Sequence, residues 1–261
     1  MTKAVQEKYR QVQPPPIQRT PLTLFANHQG EIYREVISET RKRNLPFAIG
    51  GGFAINAYTG LQRNTKDLDI YVMPSDCEAM KEILTDVGMS DYSERLPYDP
   101  KWIYRGYYNG VIVDVIWAMA NQVTSVDERW LTRGPIIEIE NHRLRLLPPE
   151  ELLWTKLYVI QRDRCDWPDV LNLIYSRGET MDWEHLLNRL GEDAALLAGV
   201  LTFFVWLCPG RARTLPDWLW ERLNLIKPSL SASAEEINDR HVGLIDSRPW
   251  FTPAPTPEPA H

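Results

Sequence analysis

The sequence predicts an α+β fold: an N-terminal mixed β-sheet core with flanking helices, followed by a C-terminal α-helical region. Two observations carry this prediction. Strand-like runs of β-branched and aromatic residues are confined to the part of the chain before Pro148. From Pro148 onward the chain shows repeated helix starts, with proline or acidic residues placed in the first turn.

These patterns divide the chain of 261 residues into four parts. Residues 1–21 are polar and contain three consecutive prolines, so a flexible arm is expected there. Residues 22–147 form the predicted sheet core, and residues 148–246 form the predicted helical domain. Residues 247–261 are rich in proline, which predicts a disordered tail.

The first elements of the core follow from local patterns. A helix is expected over residues 28–43, because apolar residues recur on one side of it and Pro46 follows. A strand then begins at Phe47 and runs into three glycines, Gly50–Gly52, which precede a short helix. Ser75-Asp-Cys-Glu78 has the spacing of a capping box, and predicts a further helix that runs to about Val87.

The remaining elements are a hairpin, a strand pair and a series of helices. Asn109-Gly110 separates two strand-like runs and is the strongest short signal for a β-hairpin. A second strand pair is expected over residues 135–147. The helices of the second half are expected over residues 149–162, 166–176, 182–191, 193–207 and 216–226.

The second predicted strand begins with two carboxylates, Asp67 and Asp69. Side chains alternate along a strand, so both carboxylates lie on the same face. Two like charges side by side repel each other unless a cation lies between them. A hard divalent cation with oxygen ligands fits this pattern, and Mg²⁺ is bound in this way at phosphoryl-transfer sites.

The glycine turn before this strand predicts a phosphate site. Glycines allow close approach of the backbone to a ligand, and the N–H groups of the following helix suit phosphate. Arg63 and Lys66 lie just before the carboxylates and supply positive charge. Each part alone is more often a plain turn or a solvated charge. Their order and spacing together favour a nucleotide site.

The segment resembles the first motif of the polymerase-beta-like nucleotidyltransferase superfamily. The resemblance is carried by Gly51-Gly52-Phe53-Ala54, Tyr58, Gly60, Arg63, Thr65 and Asp67-Leu68-Asp69-Ile70. It is closest to the small bacterial members, which include the abortive-infection toxin type and the minimal nucleotidyltransferases. Many members have Gly-Ser where this chain has Gly51-Gly52, so one hydroxyl contact to phosphate is missing.

This resemblance implies a set of roles. The glycine pair holds the triphosphate of a nucleoside triphosphate, the donor substrate, and Asp67 and Asp69 hold Mg²⁺ or Mn²⁺. A third carboxylate on a nearby strand completes the metal site. The implied nucleotide-binding residues are Gly51, Gly52, Arg63, Thr65, Lys66 and Lys156.

Asp114 is the candidate for the third carboxylate. The strand over residues 111–117 is apolar on both faces apart from Asp114, and a buried carboxylate is costly unless it is paired or bound to metal. One alternative is that Asp114 pairs with Arg105 or another cation across the hairpin. Together with the first motif, the pattern favours Asp114 as a metal ligand. The resemblance also implies that Asp114 helps to deprotonate the acceptor hydroxyl.

Lys156 is a candidate by resemblance alone. The segment Leu147-Pro-Pro-Glu-Glu-Leu-Leu-Trp-Thr-Lys-Leu157 is similar to the segment that follows the catalytic sheet in small bacterial members, where a lysine approaches the nucleotide. The alternative is a surface lysine on an amphipathic helix. Asp166 is explained as a helix cap, and Asp169 lies in a first turn that favours acids.

Composition limits the range of functions. The chain has 29 basic and 35 acidic residues and a net charge of −6, which does not indicate a general nucleic-acid binder. Arg41-Lys42-Arg43 and the pair Arg143 and Arg145 form either local basic patches or solvated faces. The three cysteines are scattered, so neither a disulfide framework nor a zinc site is indicated, and a cytoplasmic setting is expected.

No contact with a membrane is expected. The N-terminus lacks the apolar segment of a signal peptide. The longest apolar run, Ala194 to Cys208, is shorter than a membrane span, and predicts a buried helix.

The sequence therefore predicts a Mg²⁺-dependent nucleotidyltransferase that moves a nucleoside monophosphate to a hydroxyl. The acceptor is left open between an RNA end, a protein and a small molecule. The alternative is an interaction module of a toxin–antitoxin pair. Such a module keeps the fold and nucleotide binding without turnover, and binds a cognate partner protein.

Overall fold

The computed structural model describes residues 28–60, 65–139, 142–229 and 241. The predicted arm over residues 1–21 and the predicted tail over residues 247–261 lie outside the described residues, as does Arg63. The described chain is α+β, as predicted, with a sheet in its first half and helices throughout its second half.

A five-stranded mixed sheet forms the centre of the first half, with strand order β1-β2-β5-β4-β3. A separate two-stranded sheet pairs β6 with β7, and this confirms the strand pair expected over residues 135–147. The strands are β1 Ala48–Ile49, β2 Asp67–Tyr71, β3 Ser90–Asp91, β4 Ile103–Tyr108, β5 Val111–Ile116, β6 Ile136–Ile139 and β7 His142–Arg145.

The pairing in the main sheet is antiparallel except between β2 and β5, which run parallel. The predicted hairpin is confirmed: β4 and β5 are joined by Asn109 and Gly110, which both have positive φ, 46° and 86°. Positive φ at both central residues is the geometry that selects Asn-Gly in two-residue hairpin turns. The hairpin places β5 between β4 and β2.

Helices surround the sheet and fill the second half. They are α1 His28–Lys42, α2 Gly51–Thr59, α3 Cys77–Asp86, α4 Glu128–Thr132, α5 Pro149–Leu157, α6 Trp167–Arg177, α7 Trp183–Leu190, α8 Ala194–Leu207, α9 Pro209–Ala212 and α10 Asp217–Arg222. The capping box predicted at residues 75–78 is wrong. The short 3₁₀ turn Pro74–Asp76 leads into α3 instead, and Asp76 at the N-cap makes no side-chain capping bond.

The two faces of the main sheet differ. Gly106 of β4 pairs with Val113 of β5, and a Cβ added at Gly106 would lie 2.8 Å from the Leu84 side chain of α3. Helix α3 therefore packs closely on this apolar face. Side chains alternate along strands, so the next residues, Arg105 and Asp114, lie on the opposite face.

The helical half packs against the sheet half through α2. Helix α6 contacts α2, the Tyr58 hydroxyl donates to the Leu147 carbonyl at 2.6 Å, and Arg177 Nε donates to the Tyr58 carbonyl at 3.2 Å. One continuous cluster of buried apolar side chains runs from the sheet into the C-terminal helices. The division between residues 147 and 148 stays a prediction.

Within the described residues, one helical stretch has the length and composition of a membrane span: Trp183–Leu207, of 25 residues. It is longer than the apolar run noted in the sequence. Length and composition alone are weak evidence for a span. The stretch is broken into α7 and α8 by Gly191, whose φ is 53°, and Leu197, Leu201 and Phe204 of α8 are buried in the core. That the protein has no membrane partner stays a prediction.

Candidate active site

The three predicted carboxylates meet on one face of the sheet. In the parallel pairing of β2 with β5, Asp67 lies opposite Ile112 and Asp69 opposite Asp114. Neighbouring strands are about 4.8 Å apart, so Asp69 and Asp114 are adjacent side chains. Asp67 lies two residues before Asp69 on the same face. Sequence reasoning placed each carboxylate on a strand, and the structure brings these strands together.

The glycine turn lies directly against Asp69. The Gly50 amide donates to the Asp69 carbonyl at 3.0 Å. Gly51, the first residue of α2, has a φ of 53°, and a Cβ there would lie 1.6 Å from Asp69 Oδ2. Only glycine accommodates both the backbone conformation and this close approach. The N-terminus of α2 and the Asp69 carboxylate therefore border the same space.

The charge on Asp69 is poorly compensated. Its side chain keeps some solvent contact, but burial of the carboxylate, followed by the charges of Asp67 and Asp114, raises the pKa of Asp69 to about 8. Lys156 and Arg105 oppose this rise without cancelling it. The described residues thus leave excess negative charge at Asp69, and a bound cation would neutralise it.

Asp114 has a cationic partner. Arg105, its cross-strand neighbour on β4, donates through Nε to Oδ1 at 2.7 Å and through Nη2 to Oδ2 at 2.5 Å. Asp114 is only 2% exposed, and burial raises its pKa, although Arg105 opposes the shift. The pairing with Arg105 that the sequence left open is therefore present. The role of Asp114 as a metal ligand stays a prediction.

Within the described residues, no three His, Cys, Asp or Glu side chains gather into a group that could hold a metal ion. Asp114 presents both of its oxygens to Arg105, while Asp67 and Asp69 keep their carboxylates on the shared face. Asp67 and Asp69 therefore form the two-carboxylate part of the predicted site.

Lys156 is buried rather than on the surface. Its Nζ lies 3.0 Å from Asp166 Oδ2 and 2.7 Å from Asp169 Oδ2. Its charge still acts on Asp69. The predicted N-cap position of Asp166 is confirmed, but its predicted capping bond is absent. Its side chain binds Lys156 and Arg164 instead.

Two residues near the carboxylates were missed by sequence reasoning. Arg164 has a side chain that is 63% exposed and donates two bonds of 3.0 Å to Asp166. These bonds raise the pKa of Arg164, and the charges of Asp69 and Asp67 add to the rise. Tyr33 of α1 is buried, and burial, followed by Asp67, Asp69 and Asp114, holds the pKa of Tyr33 well above its usual range. The pair of basic residues around Asp163 was an available signal for Arg164. No sequence pattern indicated Tyr33.

The structure gives only the positions of the other predicted residues along the chain. Gly52 lies in the first turn of α2, as its predicted phosphate role requires. Thr65 and Lys66 precede β2, with Lys66 exposed. The nucleotide contacts of these residues, and of Lys156, stay predictions.

Several solved structures are similar to this chain at a low level. The antibiotic-resistance factor ANT(2'')-Ia is 18% identical over 66% of this chain and 95% of its own, with a TM-score of 0.46. The lincosamide antibiotic adenylyltransferase LnuA is 14% identical over 55% and 94%, with a TM-score of 0.40. JHP933 from Helicobacter pylori is 13% identical over 83% and 93%, with a TM-score of 0.36. At this level of similarity, they assign no substrate to this chain.

No curated protein matches the chain. A family model described as "uncharacterised nucleotidyltransferase" matches residues 27–204, which include both carboxylate strands, the glycine turn, the helix that carries Lys156 and the connection that carries Arg164. This match confirms the resemblance to nucleotidyltransferases and covers more than half of the chain. The chain belongs to this family of nucleotidyltransferases.

Proposed function

We propose that this nucleotidyltransferase uses Mg²⁺ to move a nucleoside monophosphate from a nucleoside triphosphate to an acceptor hydroxyl. One observation carries the proposal. A pair of carboxylates on β2, one of them with a pKa raised to about 8, borders the glycine-rich N-terminus of α2. The carboxylate pair, which a cation would neutralise, thus lies beside helix N–H groups that can bind phosphate.

The residues present fit a magnesium ion. Asp67 and Asp69 offer hard oxygen donors from one face of β2, and the excess charge at Asp69 is what a divalent cation would neutralise. Asp114, adjacent to Asp69, would join them through an oxygen that it shares with Arg105. When bound, Mg²⁺ would supply electrostatic stabilisation of the attacking and leaving oxygens.

The phosphate groups would lie at the start of α2. Gly51 and Gly52 allow the triphosphate to approach the backbone, and the positive end of the helix favours its charge. Arg164 is exposed on the side of the carboxylates and would neutralise charge on the leaving pyrophosphate. Arg63, Thr65 and Lys66 belong to the segment that leads into β2, and we place them on the same triphosphate.

Asp114 would accept the proton of the attacking hydroxyl. Its position is fixed by the two hydrogen bonds from Arg105, and each carboxylate oxygen retains a lone pair for a further partner. Burial raises the pKa of Asp114, which makes it a stronger base than an exposed aspartate. Lys156, fixed by Asp166 and Asp169, would stabilise the charged site from a short distance without touching the reacting atoms.

A labelled-nucleotide assay tests this function. Purified protein is incubated with Mg²⁺, each α-labelled nucleoside triphosphate, and RNA, protein and small-molecule acceptor pools. We expect transfer of label by the wild type, with a loss of at least about 100-fold in Asp67→Asn. Asp217→Asn is the matched control, because Asp217 is exposed on α10 and pairs only with Lys227 among the described residues. Equal labelling by wild type and Asp67→Asn would contradict the proposal.

Nucleotide binding is measured separately by thermal shift. A ligand that binds only the folded state raises the melting temperature, so Mg²⁺ and nucleotide together should stabilise the wild type more than Asp67→Asn. Stabilisation without any transfer would favour the alternative, an interaction module that binds nucleotide without turnover. We place the protein in the cytoplasm, and its three free cysteines support a reducing compartment.

A further inference from the structure

Two basic segments that are far apart in the sequence meet at one end of the protein. Arg41 lies in the last turn of α1, and its guanidinium donates to the backbone carbonyl of Arg143 on β7 and lies 3.4 Å from His142 Nδ1. Arg145, two residues along β7, donates to the Gly134 carbonyl at 2.7 Å. The sequence left these segments open between basic patches and solvated faces. Their contact creates one patch.

The patch is concave. Arg41, Arg143 and Arg145 line a groove of about 480 Å³, whose remaining walls include the apolar side chains Leu45, Phe47 and Ile136. Phe47 is half-buried and Ile136 is 45% exposed, so apolar surface is accessible between the arginines. We call this feature the arginine groove. Positive charge beside accessible aromatic and aliphatic surface is the combination that binds unpaired bases and their backbone.

The described residues leave the three arginines of the groove without an ion-pair partner. Within the described residues, none of the three arginines forms an ion pair with a carboxylate, and Glu138 pairs with Arg143 in the strand register without a salt bridge. The neighbouring Arg43 contrasts with them, because it contacts both Glu82 and Asp86. Uncompensated arginines in a chain of net charge −6 mark a local site for an anion.

A short stretch of chain connects the groove to the proposed site. Phe47 directly precedes β1, and Gly51 beside Asp69 follows it. Four residues of chain span at most about 13 Å, which is the length of about four stacked nucleotides.

We propose that the arginine groove binds the phosphodiester backbone of a single-stranded polynucleotide. The polynucleotide would also be the acceptor, because a strand held in the groove would deliver its terminal hydroxyl to the carboxylates. This second part rests on the proposed function. Guanidinium groups bind phosphate oxygens in a two-pronged manner, and the apolar wall accepts bases without sequence preference. A single phosphate would use only part of a groove with three arginines.

Binding is tested by fluorescence anisotropy with labelled 12-residue single-stranded RNA and DNA, at about 50 and 200 mM salt. We expect binding by the wild type that weakens at least 10-fold in Arg143→Glu. Arg143→Ala should lower the slope of log affinity against log salt by about 0.7, the value for one phosphate contact on a single strand. The RNA and DNA arms identify which polynucleotide is preferred.

The variants keep the test separate from folding. Only the backbone carbonyl of Arg143 takes part in the contact with Arg41, so Arg143→Glu and Arg143→Ala both retain that hydrogen bond. Arg143→Ala also avoids a second carboxylate opposite Glu138. Arg213→Glu, at an exposed position after α9, is the matched charge reversal outside the groove. Oligonucleotide affinity that is unchanged in Arg143→Glu, or lost equally in Arg213→Glu, would overturn the proposal. So would equal competition by a mononucleotide, since that would indicate a ligand with a single phosphate.

The two proposals can fail independently. Arg143→Glu should leave the thermal shift by Mg²⁺ and nucleotide unchanged, because Arg143 lies outside the carboxylate site. Oligonucleotide binding without transfer of label to any acceptor pool would support the groove and contradict the enzyme. Transfer to an oligonucleotide that is insensitive to Arg143→Glu would support the enzyme and contradict the groove.

Discussion

The protein contains two charged clusters that are built in opposite ways. Around Lys156, two cations meet two carboxylates: Lys156 and Arg164 bind Asp166, and Lys156 also binds Asp169. On the sheet, three carboxylates have one ion-pair partner among the described residues, Arg105, which binds Asp114. The first cluster is neutral and complete. The second retains excess negative charge. This difference distinguishes the first cluster, a structural network, from the second, a candidate binding site for a cation.

The pKa values follow the same division. Although burial raises the pKa of Asp166, the hydrogen bonds from Arg164 and the charge of Lys156 hold it below its usual value. For Asp69 no such partner exists among the described residues, and burial with two like charges raises its pKa to about 8. Substitutions of the sheet carboxylates should therefore lower activity, whereas substitutions in the cluster around Lys156 should lower stability.

The largest effect is expected for Asp69→Asn. The change removes a proposed metal ligand, so we expect transfer to fall by at least about 100-fold. It also removes a repelled buried charge, so the metal-free variant should melt at a higher temperature than the wild type at pH 8. Calorimetry and the labelled-nucleotide assay measure the two effects. A variant that is both less active and less stable would contradict the contrast between the clusters.

Lys156→Met should show the opposite pattern. It leaves two buried carboxylates without their shared cation, and such a loss costs about 3–5 kcal/mol in the free energy of unfolding. Urea denaturation measures this loss. Arg164→Met is the control, since it removes an exposed partner of the same Asp166 and should cost less than about 1 kcal/mol. Equal losses in the two variants would show that Lys156 is not the centre of the network.

Gly51→Ala tests the approach of the glycine turn to Asp69. We expect a loss of about 2–3 kcal/mol, because a Cβ there would meet Asp69 Oδ2 and the backbone has positive φ. Gly60→Ala is the matched control: its φ is also positive, 74°, but nothing lies within 4 Å of the added carbon. The control should lose only about 1 kcal/mol. A loss at Gly51 no greater than at Gly60 would argue against close contact.

The smallest effect is the pH dependence of stability. The folded pKa of Asp69, about 8, exceeds its ordinary value of 3.8, so between these values the folded state binds a proton that the unfolded state has lost. The metal-free protein should therefore lose stability as pH rises through this window. After allowance for partial exposure we expect about 1 kcal/mol, or a few degrees in melting temperature. The same slope in Asp69→Asn would assign it to other groups.

Local patterns in the sequence predicted much of the fold. Asn109-Gly110 fixed the hairpin because few other residues adopt its backbone conformation, and Asp67 and Asp69 shared a face because of strand alternation alone. The parallel pairing of β2 with β5 was not predictable from periodicity, since it joins strands that are distant in the chain. The same applies to the contact between Arg41 and Arg143. The capping bond predicted for Asp166 does not form, because its carboxylate binds two nearby cations, Lys156 and Arg164.

The parallel pairing of β2 with β5 also has a consequence for synthesis of the chain. The two carboxylate strands are separated in the sequence by α3, β3 and β4, so the site exists only after a long loop has closed. The entropy cost of closing this loop comes before the stabilising contacts between the strands form. Such non-local pairing is therefore slow compared with hairpin or helix formation. A nascent chain that has emerged only as far as β4 carries two of the three carboxylates and no complete site. The order of translation therefore delays activity until the central sheet is whole.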